Sequence, residues 1–259
     1  MAADPSKSIR THAMRLEILY EDNHIIAVEK PAGMITQRDS TGRMALIDLV
    51  KEYVREKYGK PGEVFLGAVH RLDRTVSGPV LFARTSKAAG RLFDEFKYRR
   101  VMKLYAALVH DPSCSLCASG PHPVWIQLTH QLERRRDTTI IAPTAGPKSK
   151  EASLEYAPLA CTSRLALLLV NLHTGRKHQI RAQLAASGLP ITGDFRYGSP
   201  ERDSPDEIGL HSCFLRFMHP TIKVPIEIHS KLPTRISSRI DPPRPLSDII
   251  RDMISRDSP

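Results

Sequence analysis

Short apolar runs and longer amphipathic stretches take turns along the chain. Ile25-Ile26-Ala27-Val28 follows the polar Glu21-Asp22-Asn23 and is closed by Pro31 and Gly33, which reads as a turn feeding a buried strand. Within 42–59, Leu46, Leu49, Val50, Tyr53 and Val54 recur at helical spacing, and Gly59, Pro61 and Gly62 stop the pattern. Residues 64–69 and Val80-Leu81-Phe82-Ala83 read as strands on either side of the polar stretch 70–77. Ser86 is the expected N-cap of a helix whose apolar stripe is Leu92, Phe93 and Phe96, and 103–109 returns to strand. Residues 152–160 and 165–172 pattern as a hairpin whose second, nearly all-apolar strand should be central. A helix is predicted from about Arg176 to Ala186, with Ile180 and Leu184 one turn apart on its core face and Gly188 at C′. Residues 209–218 and 222–228 read as two final strands, and 246–254 as a short helix. Strands separated by helices, with no internal repeat, fit an α/β or α+β sheet domain; we take α+β.

Composition narrows the partners. The 259 residues are 41% hydrophobic and 25% charged, which excludes collagen-like, mucin-like and wholly disordered chains. The net charge of +10 suggests a polyanionic partner, nucleic acid before membrane, and is equally compatible with colloidal solubility. No apolar run is long enough to span a bilayer, and the N-terminus has no signal-peptide core, so a cytoplasmic location is expected. The four cysteines are too few and too scattered for a disulfide framework. Cys114-x-x-Cys117 with His122 lacks a fourth zinc ligand at recognisable spacing, so these read as loop residues, and Cys161 and Cys213 as small buried hydrophobes. P-loop, dinucleotide and H-E-x-x-H signatures are absent. The expected organisation is a flexible tail over 1–15, one catalytic domain over 16–231, and an extension over 232–259 that is partly disordered or a short helix.

Two polar islands carry the candidate chemistry. In His70-Arg71-Leu72-Asp73-Arg74-Thr75-Val76-Ser77-Gly78, a carboxylate between two arginines should stay ionised. It suits nucleophilic or general-base work; a surface turn with a structural salt bridge is the plainer alternative. The second island, His173-Thr174-Gly175-Arg176-Lys177-His178-Gln179-Ile180-Arg181, follows the most apolar strand and opens a helix, where exposed N–H groups and cations make an anion site. Arg176 and Arg181 do not share one face. One could meet substrate phosphate while the other turns inward, and an inward arginine needs a carboxylate, for which Asp73 is the best available. Further cations run from Arg84 to Lys103 and at Arg134, Arg135 and Arg136, with Phe93, Phe96, Tyr98 and Tyr105 among them. Cations with interleaved rings are the pattern of nucleic-acid contact, although most of the phenylalanines read as core. Tyr105 is either a core residue with its hydroxyl at a rim or a stacking platform.

The chain resembles the RluA-type RNA pseudouridine synthases. Five blocks occur in the family's order: Tyr20-Glu21-Asp22-Asn23 through Val28-Glu29-Lys30-Pro31-Ala32-Gly33-Met34; His70 to Gly78; Lys103-x-Tyr105-x-Ala107; Thr174 to Arg181 with Gly188-x-Pro190-Ile191-x-Gly193-Asp194-x-x-Tyr197-Gly198; and Leu210-His211 with Phe217-x-His219-Pro220. Departures are Val76 where Thr is common, Pro79 where Leu or Val is usual, and an ending at Ile226-Glu227-Ile228-His229-Ser230 unlike the family's.

The resemblance implies an elongated mixed, mainly antiparallel sheet with flanking helices and a central cleft. It implies isomerisation of specific uridines to pseudouridine in ribosomal or transfer RNA, with no cofactor and no metal; a monomer is the default expectation, which the sequence does not read. It places Asp73 on the catalytic carboxylate, Arg181 on the arginine paired with it, and Tyr105 on the tyrosine packed against the target base. Arg71 falls on the arginine that occupies the space of the flipped base, and Ile180 and Leu210 on pocket walls. Arg74, Arg176, Lys177 and the triplet at Arg134, Arg135 and Arg136 complete the expected RNA contacts. With so few residues before the first motif, no S4-type RNA-binding domain is expected. Two other readings remain: a non-catalytic RNA-binding protein on the same fold, and a nucleic-acid glycosidase using Asp73 as nucleophile.

Overall fold

The structure is a computed structural model that describes residues 16–40, 42–59, 61–111, 113, 116, 124–201 and 204–256. The expected tail at 1–15 and the loop cysteines Cys114 and Cys117 with His122 lie outside the described residues. The strands are β1 (Ile18–Glu21), β2 (Ile25–Lys30), β3 (Gly67–Ala68), β4 (Gly78–Ala83), β5 (Met102–His110), β6 (Ile126–Arg135), β7 (Thr138–Ala142), β8 (Ser149–Cys161), β9 (Leu165–Leu172), β10 (Leu210–Met218) and β11 (Pro225–His229). The helices are α1 (Leu46–Tyr58), α2 (Ser86–Lys97), α3 (Gln179–Ala186), α4 (Thr234–Ser237) and α5 (Leu246–Arg256).

The fold is α+β, and every named strand pairing is antiparallel. Four strands run in the order β1-β2-β4-β3 and seven in the order β11-β10-β5-β9-β8-β6-β7. β9 is central, as its nearly continuous apolar sequence requires. A bridge between Ser77 and His211 joins the two sheets, with the Ser212 N–H donating to the Ser77 carbonyl at 2.9 Å. Gly78 makes this junction possible. Its φ is +128°, and a Cβ there would lie 2.3 Å from the Ser212 carbonyl oxygen.

Alternation along β5 divides the core. Tyr105, Ala107 and Val109 face a cluster containing Val170, Ile180 and Leu210. Leu104, Ala106 and Leu108 face the other way, where Ile236, Ile240 and Ile250 of the C-terminal segment cover them. That second cluster includes Cys213, whose thiol burial pushes up to about 12, so it behaves as a small apolar side chain.

Local differences from the sequence reading have simple causes. Thr85, not Ser86, caps α2, its hydroxyl accepting from the Ala88 N–H at 3.2 Å. α3 starts at Gln179 rather than near Arg176, because His178 adopts a left-handed conformation with φ 53°. The strand expected over 64–69 shrinks to two residues, while Val64 and Leu66 are buried without joining a ladder. Phe93 is 59% exposed rather than core. Leu92 and Phe96 lie one turn apart on the inward face of α2, and Phe93 is rotated about 100° from Leu92.

Candidate active site

Asp73 sits in the loop between β3 and β4, and that loop is pinned from outside. The Leu72 N–H and carbonyl both bond the Thr36 hydroxyl, at 3.3 and 3.2 Å. The Arg74 carbonyl accepts from the Gly33 N–H at 2.8 Å and from Lys30 Nζ at 3.2 Å. Lys30 is fully buried, and its ammonium also donates to the carbonyls of Pro31 and Met34 at 2.9 and 2.8 Å. Burial pushes its pKa down to about 7, with Asp73 the leading opposing charge. The Lys30-Pro31-Ala32-Gly33 turn therefore clamps the backbone that carries Asp73. His70 is a second anchor: its Nε2 accepts from the Leu81 N–H at 2.9 Å while its ring stacks on Phe96 at 4.8 Å. Burial holds it neutral, with a pKa of about 3.

Arg181 reaches the same place from α3. It does turn inward, but its principal carboxylate is Asp194. Nε and Nη2 donate to the two Asp194 oxygens at 2.6 and 2.8 Å, a bidentate pair, and Asp194 is 1% exposed. Nη1 then extends to Asp73 Oδ2 at 3.5 Å. The sequence reading gave Arg181 to Asp73 alone. Asp194, named only within a motif, is the residue that keeps the buried guanidinium compensated. His178 Nε2 approaches the same Oδ2 at 3.6 Å. Among the described residues Asp73 Oδ1 enters no hydrogen bond or ion pair, so one carboxylate oxygen faces donors and the other is left to a ligand.

Asp73 lies where two clefts meet. One, of about 600 Å³, is lined by Arg71, Asp73, Phe93, Lys97, Arg99, Lys103, Tyr105, Arg176, Ile180 and Leu210 among others. The other, of about 530 Å³, shares Arg71, Asp73, His178 and Arg181 and adds Arg38, Arg43, Arg74, Lys177 and Arg196. In the first cleft Tyr105 is buried, and burial together with Asp73 raises its phenol pKa so that it stays protonated. Tyr105 stands opposite Ser212 across the β5–β10 ladder. Lys103 is pushed down to about 8 by burial and by Arg99. The site is therefore a carboxylate floor with an aromatic wall, apolar sides and a cationic rim.

A family model described as RNA pseudouridylate synthase matches residues 24–186. The chain belongs to that family. It is 33% identical to the tRNA pseudouridine synthase C of Pasteurella multocida, over 83% of this chain and 90% of that protein. It is 28% identical to the ribosomal large subunit pseudouridine synthase C of Vibrio vulnificus, over 83% of this chain and 65% of that protein. The structure titled Human RNA Pseudouridylate Synthase Domain Containing 1 superposes with a TM-score of 0.68, covering 95% of this chain and 96% of that one at 23% identity, which speaks to fold alone. The chain is thus an RNA pseudouridine synthase, an isomerase.

The synthase fold brings Asp73, Tyr105, Arg181, Ile180, Leu210 and Arg71 to one cleft, with Arg176 at the same lining. Arg74 and Lys177 line the second cleft, where Arg74 is also ion-paired with Asp206. Arg134, Arg135 and Arg136 are exposed on the β6–β7 hairpin and line neither cleft; Arg135 pairs with Glu133 at 2.9 Å. The anion site expected at the second island is altered. The Arg176 N–H is taken by the Gln179 side chain at 3.0 Å, so that donor is not open to an anion. No cluster of three His, Cys, Asp or Glu suited to a metal occurs among the described residues, nor does a helix long and apolar enough to cross a membrane.

Proposed function

We propose that this synthase isomerises a uridine in structured RNA, transfer RNA first, with Asp73 as the reacting carboxylate. The observation that carries the reading is Asp73 at the meeting of the two clefts, with Oδ2 toward Arg181 and Oδ1 open. The reaction breaks the bond from C1′ to N1, turns the base, and joins C1′ to C5. An ionised carboxylate beside the ribose can attack C1′ or remove a sugar proton. Both routes need the charge and the positioning that the arginine supplies. Pseudouridine has the same composition as uridine, the C5 hydrogen leaving to water while N1 takes up a proton, so the net reaction consumes no oxidant, reductant or group donor.

A base stacked in a helix is beyond the reach of such a floor, so the uridine must be extruded or already unpaired. Tyr105 then offers its ring to the base between Ile180 and Leu210, and Arg71, exposed and lining both clefts, can fill the space left behind. Arg74, Arg176 and Lys177 serve the nearby phosphates, and Arg134, Arg135 and Arg136 serve RNA farther away. Transfer RNA is favoured because similarity to the Pasteurella enzyme runs along nearly its whole length. The ribosomal relative from Vibrio vulnificus is matched over a smaller share of its own length.

Transcripts of transfer RNA and large-subunit ribosomal RNA labelled with tritium at uridine C5 distinguish these substrates, since isomerisation releases that hydrogen to water. Release from transfer RNA at one mapped position is expected. Release from ribosomal RNA alone would overturn the substrate assignment. Base loss leaving an abasic site would overturn the isomerase chemistry.

A further inference from the structure

We propose that His178 is a positioning residue for Asp73, fixed by Tyr197 as the neutral tautomer that points an N–H at Asp73 Oδ2. The inference rests on Asp73 being the reacting carboxylate. It starts from a chain of contacts that fixes one proton after another. The Thr139 backbone N–H can only donate, and it donates to the Tyr197 hydroxyl oxygen at 2.8 Å. The same hydroxyl lies 3.0 Å from His178 Nδ1. With one lone pair engaged, the phenolic proton has its acceptor in Nδ1, and a half-buried hydroxyl proton without an acceptor is costly. Nδ1 is then unprotonated, and the single proton of a neutral imidazole sits on Nε2. Nε2 is the atom 3.6 Å from Asp73 Oδ2. That is longer than a hydrogen bond, as catalytic contacts often are before substrate arrives.

The surroundings favour the neutral ring. Burial dominates, and Lys177 and Arg181 from its own segment with Arg196 from the neighbouring turn add to it, while Asp73 opposes; the result is a pKa of about 4. Tyr197 stays a phenol, its pKa raised chiefly by burial. The backbone adds an independent sign. His178 holds φ 53°, an uncommon conformation outside glycine that persists where surrounding contacts enforce it. A donor and a guanidinium thus approach the same oxygen, which orients the carboxylate and leaves Oδ1 toward the ribose. A neutral donor does this without the charge that a second cation would bring against the carboxylate's reactivity.

The test has two arms on the full-length enzyme. Nitrogen NMR of the wild type at neutral pH should show His178 protonated on Nε2 and bare at Nδ1, with Tyr197→Phe losing that preference. Protonation on Nδ1, or on both nitrogens, would overturn the proposal whether or not an RNA substrate is in hand. In the kinetic arm, His178→Leu should lower kcat about 10- to 100-fold with KM little changed, the loss typical of an outer partner that orients a reactive group. His178→Gln carries the same backbone penalty at φ 53° but supplies a neutral N–H, and should recover much of that loss. Equal kcat for the two variants would assign His178 a purely structural role. Failure of the wild type to make pseudouridine in any RNA would instead count against the role of Asp73, and the tautomer would still be read.

Discussion

At the scale of single residues, the pairing of Arg181 with Asp194 sets how well the site is held. Removing one partner of a buried bidentate pair leaves the other charge uncompensated, at a cost of about 3–5 kcal/mol. Asp194→Asn should therefore lower the unfolding free energy by that order in urea titrations, and lower kcat because the guanidinium facing Asp73 loses its anchor. A change below about 1 kcal/mol would contradict the assignment. Sequence reasoning could see that Arg176 and Arg181 do not share a face, so that one could turn inward, and the family resemblance singled out Arg181. It could not see which carboxylate met it. Asp73 stood out as an acid between two arginines, whereas Asp194 had no local charge pattern to mark it. The roles of Lys30 and His178 were hidden for the same reason: each acts on partners that only the fold brings close. Phe93 shows the opposite error, an apolar residue assigned to the core from its type when its angular position turned it to the cleft.

Among the elements, the join between the two sheets has the sharpest requirement. Gly78→Ala adds a Cβ at φ +128° against the Ser212 backbone, so backbone strain and overlap act together. It should cost more than about 2 kcal/mol in stability. It should also reduce activity, because Ser212 pairs in register with Tyr105 across β10 and β5. Gly90→Ala, in the open middle of α2, is the matched control and should be neutral or stabilising by about 0.4–1 kcal/mol. Equal effects from the two substitutions would remove the argument. The strands were legible because burial on both faces leaves unbroken apolar runs such as β9. The start of α3 was not, because the turn ahead of it has a composition a helix would tolerate and is set by the left-handed His178 and the Gln179 side chain.

Across the whole molecule, the surplus of ten positive charges is spread in two tiers. Arg71, Arg176 and Lys177 lie in the clefts, while Arg134, Arg135 and Arg136 stand apart on a hairpin. Each lost phosphate contact lowers the salt dependence of binding by roughly 0.7–0.9 in log–log slope. Arg71→Ala and Lys177→Ala should weaken a minimal stem-loop and a full transfer RNA alike. Replacing the three hairpin arginines should weaken only the longer RNA, with kcat on the stem-loop intact. Binding isotherms over a salt series read both, and an unchanged slope for the hairpin variant would show that it meets no phosphate. The charge pointed to a polyanion from composition alone. The separation into tiers required the fold, as did the role of the C-terminal segment, whose Ile236, Ile240 and Ile250 seal the rear of the sheet that carries Tyr105.

Arg181, His178 and Lys30 all act on the carboxylate of Asp73. Conversion of uridine to pseudouridine by Asp73→Asn, measured beside its affinity for the same RNA, tests it most directly. The side chain keeps its size and loses only its charge, so product should fall below detection while RNA binding stays within a few-fold of the wild type. Turnover retained at a substantial fraction of the wild-type rate would mean that another group does the chemistry.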